Sequence, residues 1–152
     1  HMVAVNDVIG YVQRVKRAIR QPVTVADNYD WWIKQGAALA DEVDFIGVHT
    51  YPIWENKSID QALSFTMANI EAVQRALPES PIVILEAGWA TTAEEFGRTA
   101  SERNQLRYYH EIEQWAQHTN TTVFFFEAFD EPLKGDPQNT LGAEQHLALI
   151  HI

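Results

Sequence analysis

The apolar positions of this chain alternate between helical spacing and short continuous runs. Valines and isoleucines recur at helical spacing over residues 6–20 and predict a first helix, which Pro22 ends. The apolar run at residues 23–26 then predicts a short strand. A polar turn follows, in which Asp30 is suited to cap a helix over residues 31–40. The chain is therefore predicted to begin with a helix, a strand and a second helix.

The same succession of strand and helix is predicted twice more, and a last strand follows. Ser58 and Gln61 form a capping-box pattern, in which each side chain satisfies a free backbone amide at the start of a helix. The further strands are predicted at residues 43–49, 81–85 and 121–126, and the further helices at residues 59–77 and from Ser101 onward. The predicted order is a helix, three strand–helix units and a fourth strand.

The predicted strands are apolar throughout, which indicates a sheet covered on both faces. Such runs are typical of parallel sheets, and strands that alternate with helices are typical of the α/β class. A whole (β/α)₈ barrel needs ~250 residues. The 152 residues present therefore predict an α/β fold that is half of such a TIM barrel. We interpret residues 3–152 as one (β/α)₄ half-barrel domain and expect His1-Met2 to be a cloning scar.

Composition and charge narrow the possible partners. Eleven Lys and Arg residues against 21 Asp and Glu residues give a formal charge of −10. This charge argues against nucleic acid, because phosphate binding needs clustered positive charge. No apolar run approaches the ~20 residues of a membrane helix, so no membrane partner is expected. The chain has no cysteine and no pair of histidines at ligand spacing, so neither a metal nor another cofactor is expected.

Carboxylates and large aromatic residues follow the predicted strands. Reactive groups gather at the carboxyl ends of parallel strands in barrels and open sheets alike. The residues at these ends are Asp27, His49, Thr50, Tyr51, Trp54, Glu55, Glu86, Trp89, Glu127, Asp130, Glu131 and Lys134. Aromatic faces suit the C–H surfaces of sugars, and a pair of carboxylates can cleave a glycosidic bond. The strand ends therefore predict a carbohydrate substrate.

Four motifs at these strand ends carry a family resemblance. They are DNYDWW at residues 27–32, DFIGVHTYP at 44–52, ILEAGW at 84–89 and FEAFDEPLK at 126–134. In order and content they resemble glycoside hydrolase family 17, in particular its bacterial β-1,3-glucanases and related β-glucan-modifying enzymes. The resemblance covers nearly the whole chain. It implies that the predicted strands are the fifth to eighth strands of that family's barrel.

The resemblance also implies roles for individual residues. Glu86, on the family's seventh strand, takes the place of the nucleophile of a retaining mechanism. Glu131 matches an active-site glutamate after the eighth strand, and Glu144 lies near a further family glutamate. The residues expected to bind the sugar are His49, Tyr51, Trp54, Trp89 and Lys134.

The acid/base glutamate of the family, at the end of the fourth strand, has no counterpart in this sequence. Glu127 and Glu131 are therefore candidates for the acid, although each could equally bind sugar or orient Glu86. The open edges of a four-stranded half-barrel favour association. Two copies related by a two-fold axis could close an eight-stranded barrel and place the partner's Glu127 or Glu131 across from Glu86. We therefore expect a homodimer.

One activity with two alternatives follows from these expectations. The predicted activity is retaining hydrolysis of β-glucosidic bonds, in a β-1,3-glucan or in short β-glucosides. The alternatives are a transglycosylase and a non-catalytic fragment that binds glucan weakly. Lys134 could bind substrate or simply neutralise its acidic neighbours. The residues with an expected structural role in turns, caps or packing are Asp27, Asp30, Trp31, Trp32 and Trp115.

Overall fold

The computed structural model describes residues 3–136 and 138–150 and contains four parallel strands with helices between them. The helices are α1 (Val5–Ala18), α2 (Tyr29–Gln35), α3 (Ala37–Ala40), α4 (Ile59–Ala76) and α5 (Glu102–Thr119). The strands are β1 (Ala26–Asn28), β2 (Ile46–Thr50), β3 (Ile82–Ala87) and β4 (Val123–Phe125). Short 3₁₀ turns lie at Pro52–Glu55, Gly97–Thr99 and Ala143–Gln145. The predicted cloning scar at His1-Met2 and the last two residues of the predicted domain lie outside the described residues.

The four strands lie in one sheet in the order in which they occur along the chain, β1-β2-β3-β4. All three pairings are parallel, with Asp27 opposite Val48 and Val48 opposite Ile84. The α/β fold with four parallel strands and flanking helices that the sequence predicts is therefore confirmed. Because every strand runs in the same direction, all four carboxyl ends meet at one edge of the sheet.

The first strand begins later than predicted. The sequence predicts a strand at residues 23–26, whereas β1 begins at Ala26. The amide of Val23 donates a hydrogen bond to the carboxylate of Asp44 at 2.7 Å, and the hydroxyl of Thr24 donates to the carbonyl oxygen of Phe45. Side-chain contacts therefore carry part of the pairing before the regular ladder starts.

Two short helices, α2 and α3, replace the single helix predicted after β1. The cap of α2 is Asn28, whose side chain accepts a hydrogen bond from the amide of Asp30 at 2.9 Å, so the predicted capping role of Asp30 is wrong. Gly36 lies between the two helices, and a side chain there would collide with the ring and backbone of Trp32. Trp32 is fully buried and donates its indole N–H to the carbonyl of Gly47 at 2.9 Å.

The longer helices cover the sheet with apolar faces. Helix α4 begins, as predicted, after Ser58, whose amide donates to the side chain of Gln61 at 3.1 Å. Two clusters of buried side chains form the core, one around Ile84, Tyr108 and Ile112 and the other around Trp32, Leu39, Val48 and Val73. Trp31 and Trp115 pack against these clusters, which confirms their predicted packing role. No helix within residues 3–136 and 138–150 is both long and apolar enough to cross a membrane.

The two outer strands are short, and apolar surface lies beside each of them. Within the part of the chain that the structure describes, β1 and β4 pair on their inner sides only. A groove of about 560 Å³ lies between α5 and β4, where Phe124 is 56% exposed. On the side of β1, a groove of about 490 Å³ beside Asp27 has an apolar lining that includes Val5, Val8 and Trp31.

The C-terminal segment crosses the carboxyl ends of β3 and β4. The amide of Glu127 donates to the carbonyl of Leu147 at 3.1 Å, and the amide of Leu149 donates to the carbonyl of Glu127 at 2.9 Å. Gln105, a buried residue of α5, contacts the same segment through its side chain. Its side-chain nitrogen lies within 3.1 Å of three carbonyl oxygens, those of Trp89, Leu147 and Ala148.

Candidate active site

A cavity of about 290 Å³ opens at the carboxyl ends of the strands. The residues that line it are Asn28, Tyr51, Trp54, Glu55, Glu86, Phe126, Lys134, Glu144 and Leu147. The structure therefore brings together Tyr51, Trp54, Glu86 and Lys134, all of which the sequence predicts at the site. The groove beside β4 is larger, but Glu113 is the only carboxylate residue among those that line it. We take the smaller cavity as the site because three carboxylates and a lysine converge there.

Glu86 lies near the end of β3 and is held in place by Tyr51. The Tyr51 hydroxyl donates a hydrogen bond to Oε2 of Glu86 at 2.7 Å. Burial raises the pKa of Tyr51 well above its usual range, and the hydrogen bond to Glu86 and the charge of that residue raise it further. The hydroxyl therefore stays protonated and remains a donor toward Glu86.

His49 approaches the same oxygen from β2. A register irregularity after Val48 places His49 opposite Glu86, and its Nδ1 lies 3.5 Å from Oε2 of Glu86. His49 Nε2 is buried and has no hydrogen-bond partner among the described residues. Its predicted role as a sugar ligand stays a prediction.

Gly88 allows β3, β4 and Tyr51 to approach one another closely. A side chain at this position would collide with the carbonyl oxygen of Phe126 and would lie 3.0 Å from the ring of Tyr51. The amide of Phe126 donates to the carbonyl of Ala87 at 2.8 Å. The glycine that follows Glu86 by two positions is therefore what lets the two strand ends close around the cavity.

A second group of charged residues lies beyond β4, around Glu127. Lys134 Nζ is 3.0 Å from Oε2 of Glu127, 3.4 Å from Oε1 of Glu131 and 4.1 Å from the centre of the Phe126 ring. Burial and the neighbouring Glu131 raise the pKa of Glu127, although the ammonium group of Lys134 opposes this rise. The two carboxylates in turn raise the pKa of Lys134 against the effect of its burial. Oε1 of Glu127 is buried without a hydrogen-bond partner among the described residues.

Trp89 lies in the core beneath the cavity. Its side chain is fully buried, and its indole N–H donates to the carbonyl of Thr99 at 3.0 Å. The loop between β3 and α5 folds back over the ring. This position corrects the expectation that Trp89 lines a sugar subsite.

Three residues of the cavity were missed in the sequence, namely Asn28, Phe126 and Leu147. Asn28 could have been found from strand alternation, because neighbouring residues of β1 point to opposite faces. Asp27 accordingly lines a different cavity, beside α1 and α2. Glu127 and Glu131 border the site through Lys134 and do not line the cavity itself. Within the described residues, no three His, Asp or Glu side chains come together as a metal site.

Two solved structures with this fold carry names of enzymes that act on β-1,3-glucans. The glycoside hydrolase family 17 β-1,3-glucanosyltransferase from Rhizomucor miehei is 27% identical and superposes with a TM-score of 0.85, covering 98% of this chain and 54% of that one. An endo-laminarinase from Formosa superposes with a TM-score of 0.83 at 24% identity, covering 95% of this chain and 48% of that one. The likeness to family 17 that the sequence predicts is confirmed, whereas its bacterial branch stays a prediction.

Curated relatives and a family model agree with these structures. A glucan 1,3-beta-glucosidase of Schizosaccharomyces pombe is 29% identical over 140 residues, covering 87% of this chain and 43% of the relative. A putative glucan endo-1,3-beta-glucosidase of Aspergillus niger is 30% identical over 166 residues, covering 93% of this chain and 23% of the relative. The chain thus spans less than half the length of these two relatives. Residues 1–147 match the family model described as the BtgE/BtgC glycoside hydrolase domain, and the chain therefore belongs to that family.

Proposed function

We propose that the chain cleaves β-glucosidic bonds by a retaining mechanism with Glu86 as the nucleophile, in a β-1,3-glucan or a short β-glucoside. The observation that carries this proposal is the 2.7 Å hydrogen bond from Tyr51 to Glu86 at the edge of an open cavity. It fixes one oxygen of the carboxylate and orients the group before a sugar arrives. The names of the curated relatives, which include glucan 1,3-beta-glucosidase, support glucose in β-1,3 linkage as the substrate.

The reaction that this geometry supports has two steps. An oxygen of Glu86 attacks the anomeric carbon and forms an ester bond while the glycosidic C–O bond breaks, and the leaving oxygen takes a proton from an acid. Water then attacks the anomeric carbon and gives its proton to that same acid, and the bond to Glu86 breaks. The Tyr51 hydroxyl stabilises the carboxylate of Glu86 before the first step and as it leaves in the second.

Glu127 is the carboxylate of this chain whose surroundings best suit the acid. Burial and the neighbouring Glu131 raise its pKa against the opposing effect of Lys134, and a raised pKa favours the protonated form that can give a proton to a leaving oxygen. The side chain of Glu131 is 53% exposed, so its surroundings suit this role less. With a sugar bound, we expect the acid to lie ~5–5.5 Å from Glu86, as retention requires.

We also propose that the chain is half of a (β/α)₈ barrel and that two copies complete it. The open sides of β1 and β4 and the apolar surface beside each of them support this arrangement. A two-fold axis along the strands would pair each β4 with the partner's β1 in parallel and place the partner's Glu127 or Glu131 across the cavity from Glu86. Light scattering after gel filtration measures the mass of the particle that the chain forms in solution. A particle of twice the 17.4 kDa chain mass supports the dimer, and one of a single chain mass overturns it.

Transglycosylation is a second candidate function. The similar structure from Rhizomucor miehei is a β-1,3-glucanosyltransferase, and transfer differs from hydrolysis only in that a sugar hydroxyl replaces water in the second step. Mass spectrometry of the products at high concentrations of laminari-oligosaccharides distinguishes the two. Products longer than the substrate support transfer, and products that are all shorter support hydrolysis.

The proposed nucleophile is tested by Glu86→Gln, which keeps the shape of the side chain and removes its charge. We expect release of p-nitrophenol from p-nitrophenyl-β-glucoside, and of sugar from laminarin, to fall by roughly 10⁴-fold. The control is Glu79→Gln, which changes an exposed glutamate before β3, at the opposite end of that strand, and should leave turnover intact. Persisting turnover in Glu86→Gln would contradict the assignment. Glucan binding without turnover in the unaltered chain would indicate the non-catalytic alternative.

A further inference from the structure

A second depression lies on the same face of the sheet as the Glu86 cavity. Its volume is about 250 Å³, and it is lined by Ile53, Asn56, Lys57, Ser58, Glu95, Phe96 and Thr99. These residues belong to two loops, one that follows β2 and one that follows β3. Because both loops leave the carboxyl ends of their strands, the depression opens beside the candidate active site.

Three aromatic rings connect the two hollows. The ring centres of Tyr51 and Trp54 are 5.2 Å apart, and those of Trp54 and Phe96 are 5.5 Å apart. Both contacts are edge-to-face, with interplanar angles of 66° and 70°, an arrangement that aromatic pairs favour. Tyr51 and Trp54 line the Glu86 cavity, whereas Phe96 lines the second depression. The rings therefore form a continuous aromatic strip from one hollow to the other.

The second depression has the side chains that a sugar ring needs. Phe96 is half-buried and supplies an apolar ring, and the groups around it are the amide of Asn56, the ammonium of Lys57, the hydroxyl of Ser58 and the carboxylate of Glu95. Binding sites for small molecules combine apolar walls with a few fixed polar groups of this kind. The chemistry of the depression thus matches that of the cavity beside it.

The loops that carry these residues are fixed in place. Asn56 ends the turn after β2 in the left-handed region, with φ of 54°, and its amide donates to the carbonyl of Ile53 at 3.1 Å. Glu95 accepts a hydrogen bond from the amide of Ala143 at 2.9 Å, which anchors the loop of Phe96 to the C-terminal segment. The ring is therefore positioned before any ligand binds, so less ordering opposes binding.

We propose that Phe96 and the depression around it form a further subsite for a β-glucan chain, which reaches it from the Glu86 cavity across Trp54. The inference rests on the proposed function, because it takes the sugar at Glu86 as one end of the bound chain. It deepens that proposal by assigning the substrate class. The chain favours oligosaccharides and polymeric β-glucan over short β-glucosides, since a short glucoside fills the first cavity and leaves Phe96 unused.

The test measures binding in the absence of turnover. Calorimetric titrations of the Glu86→Gln protein use laminaritriose and laminarihexaose. We expect the hexaose to bind about fivefold more tightly than the triose, the size of effect that one aromatic contact gives. The double variant Glu86→Gln/Phe96→Ala should lose this gain, and Phe96→Trp in the same background should keep it because the flat ring is retained. The matched control is Leu106→Ala, which removes an exposed apolar side chain of α5 that lines neither hollow.

Each outcome decides the inference separately from the proposed activity. The subsite is overturned if the hexaose binds more tightly than the triose by the same factor with and without the Phe96 ring. It is also overturned if the Glu86→Gln protein binds both sugars equally tightly. Phe96→Leu serves as a second variant that keeps apolar volume, so a fault in folding of the alanine variant does not prevent the test. A chain that gains affinity through Phe96 but cleaves no glucan keeps the subsite and loses the proposed hydrolysis.

Discussion

Glu86 and Glu127 stand at the ends of neighbouring strands, yet their surroundings differ in almost every respect. Glu86 faces an open cavity with a side chain that is 29% exposed, and it accepts a hydrogen bond from the neutral hydroxyl of Tyr51. Glu127 is 10% exposed and paired with the ammonium of Lys134, beside a second carboxylate. The same residue type on one sheet thus has two different surroundings, an open cavity with a neutral donor for Glu86 and a buried site beside an ammonium group for Glu127. Retaining glycosidases use such differences in surroundings to divide the roles of nucleophile and acid between two carboxylates.

The partners of the two carboxylates also come from different parts of the fold. Tyr51 follows β2, a neighbouring strand in the same sheet, so the sheet itself fixes its distance to Glu86. Lys134 and Glu131 belong to the loop that immediately follows Glu127 in the chain. The position of Glu86 therefore depends on the whole sheet, whereas the environment of Glu127 is set by a local turn.

Glu127→Gln should give the largest effect of the variants that sharpen this comparison. If Glu127 is the acid, its loss removes proton donation to the leaving oxygen, and kcat on laminari-oligosaccharides should fall by about 10³-fold. The effect should be smaller on p-nitrophenyl-β-glucoside, whose leaving group needs little protonation. Glu71→Gln, at an exposed position of α4 that lines neither the cavity nor the groove beside β4, serves as the control. Equal losses on both substrates would contradict the role as acid.

Tyr51→Phe should give the next largest effect. The variant keeps the ring and removes the hydroxyl that holds Glu86. Because hydrogen bonds to charged groups contribute about 1.5–3 kcal/mol, kcat/KM should fall by roughly 30-fold. Steady-state kinetics measure this loss, with Tyr11→Phe on the exposed side of α1 as the matched control. Unchanged kinetics would show that the sheet alone positions Glu86.

Lys134→Met should give the smallest loss of rate and a distinct change in pH dependence. The ammonium of Lys134 lowers the pKa of Glu127, so its removal raises that pKa. An acid must be protonated to act, and the basic limb of the pH–rate profile should therefore move to higher pH. Lys134→Arg keeps the charge and should leave the limb in place. A shift of the limb to lower pH in Lys134→Met would remove Glu127 from the role of acid.

The features predicted correctly depend on short stretches of sequence. Ser58 and Gln61 mark the start of α4 because both halves of a capping box lie within one helical turn. The order and direction of the strands follow from apolar runs separated by helices. Tyr51, Trp54 and Glu86 line one cavity because parallel strands bring their carboxyl ends together.

The features that were missed depend on residues distant in the chain. The shifted start of β1 depends on Asp44, which binds the amide of Val23 through its side chain. Trp89 follows Glu86 closely and has the composition of a sugar ligand, but its indole bonds to Thr99 in a loop whose path the sequence does not reveal. Gln105 likewise gave no signal in the sequence, since its side chain bonds only to backbone carbonyls.

Gln105 also bears on how the C-terminal segment can be released from the rest of the molecule. Its side chain joins the loop after β3 to the C-terminal segment. The backbone of Glu127 bonds to the same segment through both its amide and its carbonyl oxygen. Release of this segment would therefore break the hydrogen bonds of Gln105 and expose the backbone of Glu127 in a single event. Local unfolding proceeds in such cooperative units. We therefore expect the C-terminal segment and the region around Glu127 to unfold locally together, with one and the same free energy of unfolding.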